Sequence, residues 1–243
     1  MRKRLLFGHK SISNADGKLV ATVTGEYVQP VRLYYRLKDK RAVKKVFSKL
    51  KCMDYDASRD RYVWLYQKEA KKLTFKYSYS AVPAEQRPVV IGSFFSESAD
   101  EMYLEIRSIE RALEGIVFFD AYIKPYMAHV DSISVINKLF SFAEHTMDFS
   151  DYFDQEVTIN PEESAQQLKA DLSQGKTPET LEKQSLPLVE RFPSYFHEDG
   201  VTPLKLLLLS RQTIAIQHFM GNTEYTLHDY MLDIVNREIQ NQQ

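Results

Sequence analysis

Two short segments of the sequence alternate basic or aromatic residues with other residues, as strands of a nucleic-acid-binding sheet do. The alternating residues are Arg32, Tyr34 and Arg36 in the first segment and Tyr62, Trp64 and Tyr66 in the second. Side chains two residues apart on a strand lie on one face. Aromatic rings on an open sheet stack on unpaired bases, at roughly 1–3 kcal/mol per base, while arginines bind phosphates. If the two strands are neighbours, the pattern predicts a surface for single-stranded RNA or DNA, although no RNP-type motif is present.

A lysine-rich helix could extend this surface. Asp39 can cap a helix whose apolar stripe includes Val43 and Phe47. Lys44 and Lys45 lie away from that stripe, where they could contact phosphate groups. Two alternatives stay open. The aromatic face could be a second hydrophobic core covered by acidic C-terminal helices, and the lysines could form an ordinary solvated helix face.

The sequence contains no motif of the common catalytic, metal-binding or nucleotide-binding sites. HExxH, GxGxxG, GxxxxGK[ST] and GxSxG are all absent, and the chain has 8 glycines. Two local clusters, Glu144 with His145 and Asp148, and the run 197–199, would need partners from elsewhere in the chain to form a metal or acid–base site. We therefore predict no catalytic residue, no metal and no cofactor.

The cysteine content and the apolar runs indicate the compartment. Cys52 is the only cysteine, which excludes an internal disulfide and a thiolate zinc site. The longest apolar run, at 206–209, is far shorter than the ~20 residues that cross a bilayer. Too few apolar residues follow the basic N-terminus for a signal peptide. We expect a soluble, cytoplasmic protein without membrane contact.

An α+β fold is predicted for the first half of the chain. Strands are expected at 31–37, 62–66, 73–79, 89–95 and 116–123, helices at 39–50 and 98–115, and a hairpin at 14–17. Ser98 and Glu101 match a capping box, and Gly115 matches a C-cap glycine. Strand–helix–strand units at 31–66 and 89–123 predict a mixed or antiparallel sheet, for which we consider a split βαβ, ferredoxin-like arrangement.

Beyond residue 126 the pattern is helical. One apolar stripe at helical spacing covers 133–143. Helix starts with a cap residue before an N1 proline occur at Pro161, Pro178 and Pro203. A final amphipathic helix is expected over 227–239. The polar stretch 158–187 predicts an exposed helical linker or arm.

Charge divides the chain into two parts of opposite sign. Residues 1–90 hold 21 Lys and Arg against 8 Asp and Glu, and residues 91–243 hold 11 against 25. Together with the elements above, this predicts a basic, aromatic α+β domain at 1–125 and an acidic, mainly helical region at 126–243. The asymmetry favours a polyanionic partner, or docking of one part on the other within or between molecules.

Three functions are compatible with these patterns. The first is a non-enzymatic interaction or adaptor protein that contacts a protein partner, or a second copy of itself, through the helical C-terminal half. The alternative is a single-stranded nucleic-acid-binding protein that uses the basic, aromatic face described above. The third is an enzyme of unrecognised type, which requires a cleft where histidines and carboxylates converge.

Overall fold

The described residues form ten strands and seven helices. The computed structural model describes residues 13–14, 17–144, 148–175 and 186–241. The strands are β1 (Ser13–Asn14), β2 (Gly17–Lys18), β3 (Val31–Leu37), β4 (Met53–Asp56), β5 (Arg61–Leu65), β6 (Val90–Ser96), β7 (Glu101–Ile106), β8 (Ala128–Ile136), β9 (Val157–Thr158) and β10 (Val189–Pro193). The helices are α1 (Lys40–Lys49), α2 (Ile109–Asp120), α3 (Ser150–Phe153), α4 (Pro161–Ser173), α5 (Phe196–Asp199), α6 (Val201–Phe219) and α7 (Leu227–Asn241). Short 3-10 turns occupy 68–72, 79–81 and 84–86.

One sheet organises the molecule. Eight strands form it in the order β4-β5-β6-β7-β3-β8-β10-β9. Neighbours are antiparallel except β9 and β10, which are parallel. The separate β1 and β2 pair antiparallel, as the predicted hairpin requires. Because β8, β9 and β10 join strands from the first half, the sheet continues across residue 125.

Helices α1, α2 and α6 cover one face of the sheet. Phe47, Phe119 and Leu208, one from each helix, are at most 2% exposed. They belong to the same hydrophobic core as Leu33 of β3 and Trp64 of β5. We call this side of the sheet the helix face.

The opposite side, the second face, is covered in its middle by the segment before β3 and by α3. Val28, Ile136, Phe149 and Phe153 form a smaller core there. Both sides of the central strands are therefore buried, which accounts for the burial of six of the seven residues of β3.

Several elements lie where the sequence predicts them. These include β3, α1, β5 and β6, and Asp39 caps α1 by accepting a backbone N–H at 2.9 Å. Helix α4 begins at Pro161, and α6 and α7 begin within two residues of their predicted starts. The predicted start at Pro178 lies outside the described residues. No helix in the described ranges is long and apolar enough to span a membrane.

The predicted helix over 98–115 is wrong, because strand β7 occupies its first half. Met102 and Ile106 are four residues apart, a spacing that a helix face and a strand face share. Leu104 lies between them and is fully buried, so the period is two. The residue that caps α2 is Ser108, whose hydroxyl accepts a backbone N–H at 3.2 Å.

The elements predicted at 116–123, 133–143 and 73–79 are also wrong. Residues 116–120 end α2, where packing against both the sheet and α6 buries an apolar run that resembles a strand. Residues 133–136 belong to β8, whose β-branched side chains favour a strand. Leu73 and Phe75 are buried with Thr74 exposed between them, but no strand pairs with this segment among the described residues.

The ferredoxin-like arrangement is not found at the predicted positions. Three strands separate β3 from β4, the strands that α1 connects. A split βαβ unit occurs elsewhere, where α2 connects β7 to β8. Both strands are antiparallel to β3, which lies between them, so they are parallel to each other. The coarse prediction of an α+β protein is confirmed, and the described chain ends in helices α6 and α7, but the region 126–243, predicted to be mainly helical, also contributes β8, β9 and β10 to the sheet.

Gly115 lies in the middle of α2, not at a helix end. A Cβ atom here would lie 3.3 Å from Cζ3 of Trp64 and 3.4 Å from Cδ1 of Ile106. The absence of a side chain therefore lets α2 approach the sheet closely.

Replacing Gly115 with leucine is expected to lower the free energy of unfolding by about 1–3 kcal/mol, because the new side chain overpacks the space above Trp64. The matched substitution Val117→Leu, at a half-exposed position of the same helix, should change it by less than about 0.5 kcal/mol. Urea denaturation measures both values. Equal stabilities of the two variants would contradict the close approach.

Candidate functional site

The structure does not bring the predicted nucleic-acid-binding residues onto one surface. Strands β3 and β5 are not neighbours, since β6 and β7 lie between them. Tyr62 and Trp64 point to the helix face, where Trp64 is fully buried beside Phe119 at a ring distance of 4.8 Å. Tyr66 is also fully buried, and its hydroxyl donates to the Leu73 carbonyl at 3.1 Å. No base can stack on these two buried rings without unfolding the core.

Arg32 and Tyr34 lie on the second face, where both contact other side chains of the protein. The Arg32 guanidinium is sandwiched between the rings of Tyr103 and Phe153, at 4.5 and 4.2 Å from their centroids. It also pairs with Glu105 at 2.9 Å. Arg191 covers the ring of Tyr34 at 3.7 Å, and burial raises the pKa of the Tyr34 hydroxyl. These two residues are structural.

The remaining predicted residues are exposed but separate. Arg36 forms ion pairs with Asp100 at 3.3 Å and Asp131 at 3.8 Å. Lys44 and Lys45 are exposed on α1. The expectation that strands and helix build one stacking and phosphate-binding surface is therefore wrong in its geometry.

A small cluster of titratable residues, which the sequence did not indicate, lies where α2, β3, β8 and α5 meet. Tyr35, Asp120, His129 and His197 line a cavity of about 10 Å³. His197 Nδ1 lies 3.6 Å from Asp120 Oδ1, and the two imidazole rings are 6.2 Å apart. The Tyr35 hydroxyl and His129 Nδ1 are buried without a hydrogen-bond partner in the described structure.

The surroundings of this cluster shift the pKa values of two of its groups. Burial, followed by the charge of Asp120, raises the pKa of Tyr35 well above its ordinary value. Burial, followed by the charge of Lys38, lowers the pKa of His129. The cavity has room for about one water molecule. It is too small for a substrate, and among the described residues no group of three or more His, Cys, Asp or Glu could hold a metal ion.

Of the local sequence cluster Glu144, His145 and Asp148, for which no site was predicted, His145 lies outside the described residues. Glu144 pairs instead with Lys138 at 2.9 Å, and hydrogen bonding from Lys138 lowers its pKa. The carboxylate is thus committed to a local ion pair.

The last helix, α7, is oriented by the polar turn that precedes it. Thr226 and Asp229 form a capping box, in which the Thr226 N–H and hydroxyl donate to Asp229 Oδ2 at 2.9 and 2.7 Å. The Tyr225 hydroxyl donates to Asp233 Oδ2 at 2.7 Å, and the Tyr225 carbonyl lies 2.7 Å from Nε2 of His218 on α6. These contacts hold the start of α7 against the end of α6.

Four large apolar side chains of α7 are exposed to solvent. Met231 is 53%, Leu232 47%, Val235 51% and Ile239 52% exposed. At 3.6 residues per turn they fall within an arc of about 100°. Ile234, on the adjoining side of the helix, is half-buried. Packing against the rest of the protein therefore covers only part of the apolar side of α7. We call the four exposed residues Met231, Leu232, Val235 and Ile239 the α7 surface.

Exposed apolar residues are common singly, but a continuous stripe of them marks an interaction site. Comparison of the chain with protein-family models, curated proteins and solved structures finds no match. The argument for function therefore rests on the geometry of this surface and of the clusters above.

The environment of His129 leads to a prediction about the pKa of its imidazole. His129 should lose its proton at a pH below the ordinary value of about 6.5, because burial disfavours the imidazolium. The folded state then binds this proton less tightly than the unfolded state does, so stability should fall as pH decreases from about 6.5 through the folded pKa.

Histidine ¹³Cε1 NMR titration measures the pKa, and His129→Gln assigns the resonance. The same variant should show a flatter dependence of stability on pH over this range. An ordinary pKa for His129 would contradict the burial of its ring.

Proposed function

We propose that this chain is a non-enzymatic interaction protein that binds through the α7 surface, and that its partner there is a second copy of the chain. The observation that carries the proposal is the exposed stripe of Met231, Leu232, Val235 and Ile239. Covering such a stripe removes apolar area from water, which is the main driving force of protein association.

The sequence of α7 is complementary to itself when two copies run antiparallel. With a twofold axis at Val235, each residue lies opposite the residue equally far on the other side of the axis. Met231 then faces Ile239 of the second copy, and Val235 faces Val235. In the antiparallel arrangement the two helix dipoles also point in opposite directions.

The size of the surface supports a reversible contact. From Met231 to Ile239 the stripe is about 12 Å long, at 1.5 Å per residue. A stripe of this length is short for a standard interface, in which each partner buries roughly 800 Å². We therefore expect a dimer that dissociates on dilution.

The two other functions have weaker support. Nucleic-acid binding has weaker support because the rings of Trp64 and Tyr66, which were expected to stack on bases, are fully buried. An enzyme would use the cavity beside His129, which holds about one water. A cytoplasmic location stays part of the proposal, supported by Cys52, the only cysteine, being a free thiol.

The substitution Val235→Asp should abolish the dimer, because symmetry places two buried carboxylates face to face at the axis. Sedimentation velocity over a wide concentration range measures the effect. Val117→Asp is the matched control, since Val117 is a helical valine of nearly equal exposure outside the α7 surface. A wild-type chain that stays monomeric at every concentration would overturn self-association.

The register of the pair can be tested with single cysteines. Val235→Cys should form a disulfide-linked dimer under mild oxidation, because the two residues meet at the axis. Met231→Cys should not, since its symmetry mate lies about 12 Å away along the helix.

The native thiol does not interfere with this assay. Cys52 is fully buried, and burial together with Glu69 raises its pKa to about 12. Non-reducing electrophoresis detects the crosslink. Equal crosslinking of both variants would rule out the antiparallel register.

A further inference from the structure

One edge of the sheet carries a dense group of exposed cations. Residues 40–72 hold 11 Lys and Arg against 4 Asp and Glu. Eight of the cations are exposed on α1, just after it and in the 3-10 turn at 68–72, and we call them the basic surface: Arg41, Lys44, Lys45, Lys49, Lys51, Lys68, Lys71 and Lys72. None of the eight forms an ion pair with a residue that the structure describes. Their charges are therefore not neutralised within the described part of the chain.

Hydrogen bonds hold the end of α1 beside the 3-10 turn. Gln67 Nε2 donates to the Lys51 carbonyl at 3.1 Å, and the Cys52 N–H donates to Glu69 Oε2 at 3.0 Å. The second bond also engages the only carboxylate in the sequence of the turn. The lysines of the two segments therefore belong to one continuous surface.

Helix α1 presents its cations as a convex ridge. Lys44 and Lys49 are five residues apart, which places them about 140° apart around the helix, with Arg41 and Lys45 between them. The buried residues of the helix are the apolar pair Val43 and Phe47. The exposed side of α1 is thus cationic from one flank to the other.

The spacing of these charges is unfavourable for the helix itself. Half of the ten residues of α1 are cations, and none is an anion. Like charges four residues apart destabilise a helix. Three such pairs occur: Lys40 with Lys44, Arg41 with Lys45, and Lys45 with Lys49. A local conflict of this kind is typical of a functional surface, and a bound polyanion removes the repulsion.

The opposite edge of the sheet is acidic. Strand β4, which follows α1 along the chain, is one edge strand, and β9 is the other. Residues 148–173, which include β9 and α4, hold 7 Asp and Glu against 1 Lys. The chain therefore has a positive and a negative edge, an arrangement that orients α1 towards a polyanion.

We propose that the basic surface binds double-stranded DNA through its phosphates, without reading the base sequence. Duplex DNA carries one negative charge per ~1.7 Å of axis, twice the density of a single strand. No large apolar side chain of α1 or of the 3-10 turn is exposed. These elements therefore offer no ring for an unpaired base and no group that inserts into a bilayer. Because this mode needs no ring, the burial of Trp64 and Tyr66 does not affect it.

The shape of α1 favours B-form DNA over duplex RNA. The major groove of B-DNA is about 12 Å wide and admits an α-helix, whereas the major groove of A-form RNA is too narrow for side chains to read. A helix with cations on both flanks can contact the phosphates of both groove walls. We therefore expect Lys44 to meet one strand and Lys49 the other.

Fluorescence anisotropy of a labelled DNA duplex of mixed sequence tests the proposal on the full chain. If about five cations contact phosphates, the affinity should fall by about 500-fold between about 50 and about 200 mM salt. A duplex of the same composition in scrambled order should bind equally well. A single strand of the same length and an RNA duplex should both bind more weakly.

Two exposed lysines at opposite edges of the sheet provide matched variants. Lys45→Gln should weaken binding by roughly tenfold at about 50 mM salt and make the slope of log affinity against log salt shallower by about one, as the loss of one phosphate contact does. Lys169→Gln removes the same charge from an exposed position of α4 and should leave affinity and slope nearly unchanged. Both side chains are exposed, so both variants should fold.

The variant Val235→Asp separates this proposal from self-association. It changes the α7 surface but no residue of the basic surface, so it should bind the duplex with the same salt dependence as the wild-type chain. Dimerisation and DNA binding can therefore each fail while the other succeeds.

Four results would overturn DNA binding by the basic surface. They are no binding of the duplex at low salt, tighter binding of the single strand or of the RNA duplex, equal weakening by Lys45→Gln and Lys169→Gln, and binding to phosphatidylserine vesicles without binding to DNA. The last result would assign the basic surface to a membrane instead.

Discussion

The packing of Trp64 between the sheet and α2 is the contact on which the rest of the structure depends. Trp64 is fully buried, with ring distances of 4.8 Å to Phe119 and 5.2 Å to Phe118. Gly92 lies directly across from it on β6, and Gly115 lies over its ring on α2. The absence of a side chain at Gly115 makes room for the Trp64 ring, whereas a side chain at Gly92 would instead meet the Glu105 carbonyl of β7. Helix α2, which connects β7 to β8, packs against the sheet at this contact.

The opposite charges of the two parts of the chain meet inside one molecule. Arg32 and Arg36, from the basic part, pair with Glu105 and Asp131, from the acidic part. A buried pair between Arg111 of α2 and Glu26 in the loop before β3 also joins the two parts, but in the opposite sense, since its cation comes from the acidic part and its anion from the basic part. Exposed pairs contribute little to stability, whereas losing one partner of a buried pair is costly. Two arginines of the basic part thus pair with carboxylates of the acidic part, while lysines of α1 such as Lys44 and Lys45 are exposed to solvent.

What the fold leaves uncovered supports the proposed interactions. The sheet is covered on both faces along its centre, so an open aromatic platform has no place there. The α7 surface is the exposed apolar stripe on which the proposed self-association rests.

The sequence alone determined the features that depend on residues close together in the chain. The α+β class, strands β3 and β5, the capped helix α1 and the starts of α6 and α7 follow from alternation, helical spacing and cap residues. Local spacing predicted the wrong element where a helix face and a strand face share the same residue spacing, as at Met102 and Ile106.

Only the tertiary structure decided which strands are neighbours and which face each side chain meets. Alternation shows that Tyr62 and Trp64 share one face of β5, and that Arg32 and Tyr34 share one face of β3. It cannot show that these are opposite faces of the sheet, because hydrogen bonds between distant segments set strand order. The exposure of Val235 was undetermined for the same reason. An amphipathic helix has an apolar side whatever its surroundings, and only the position of α6 decides how much of that side stays in solvent.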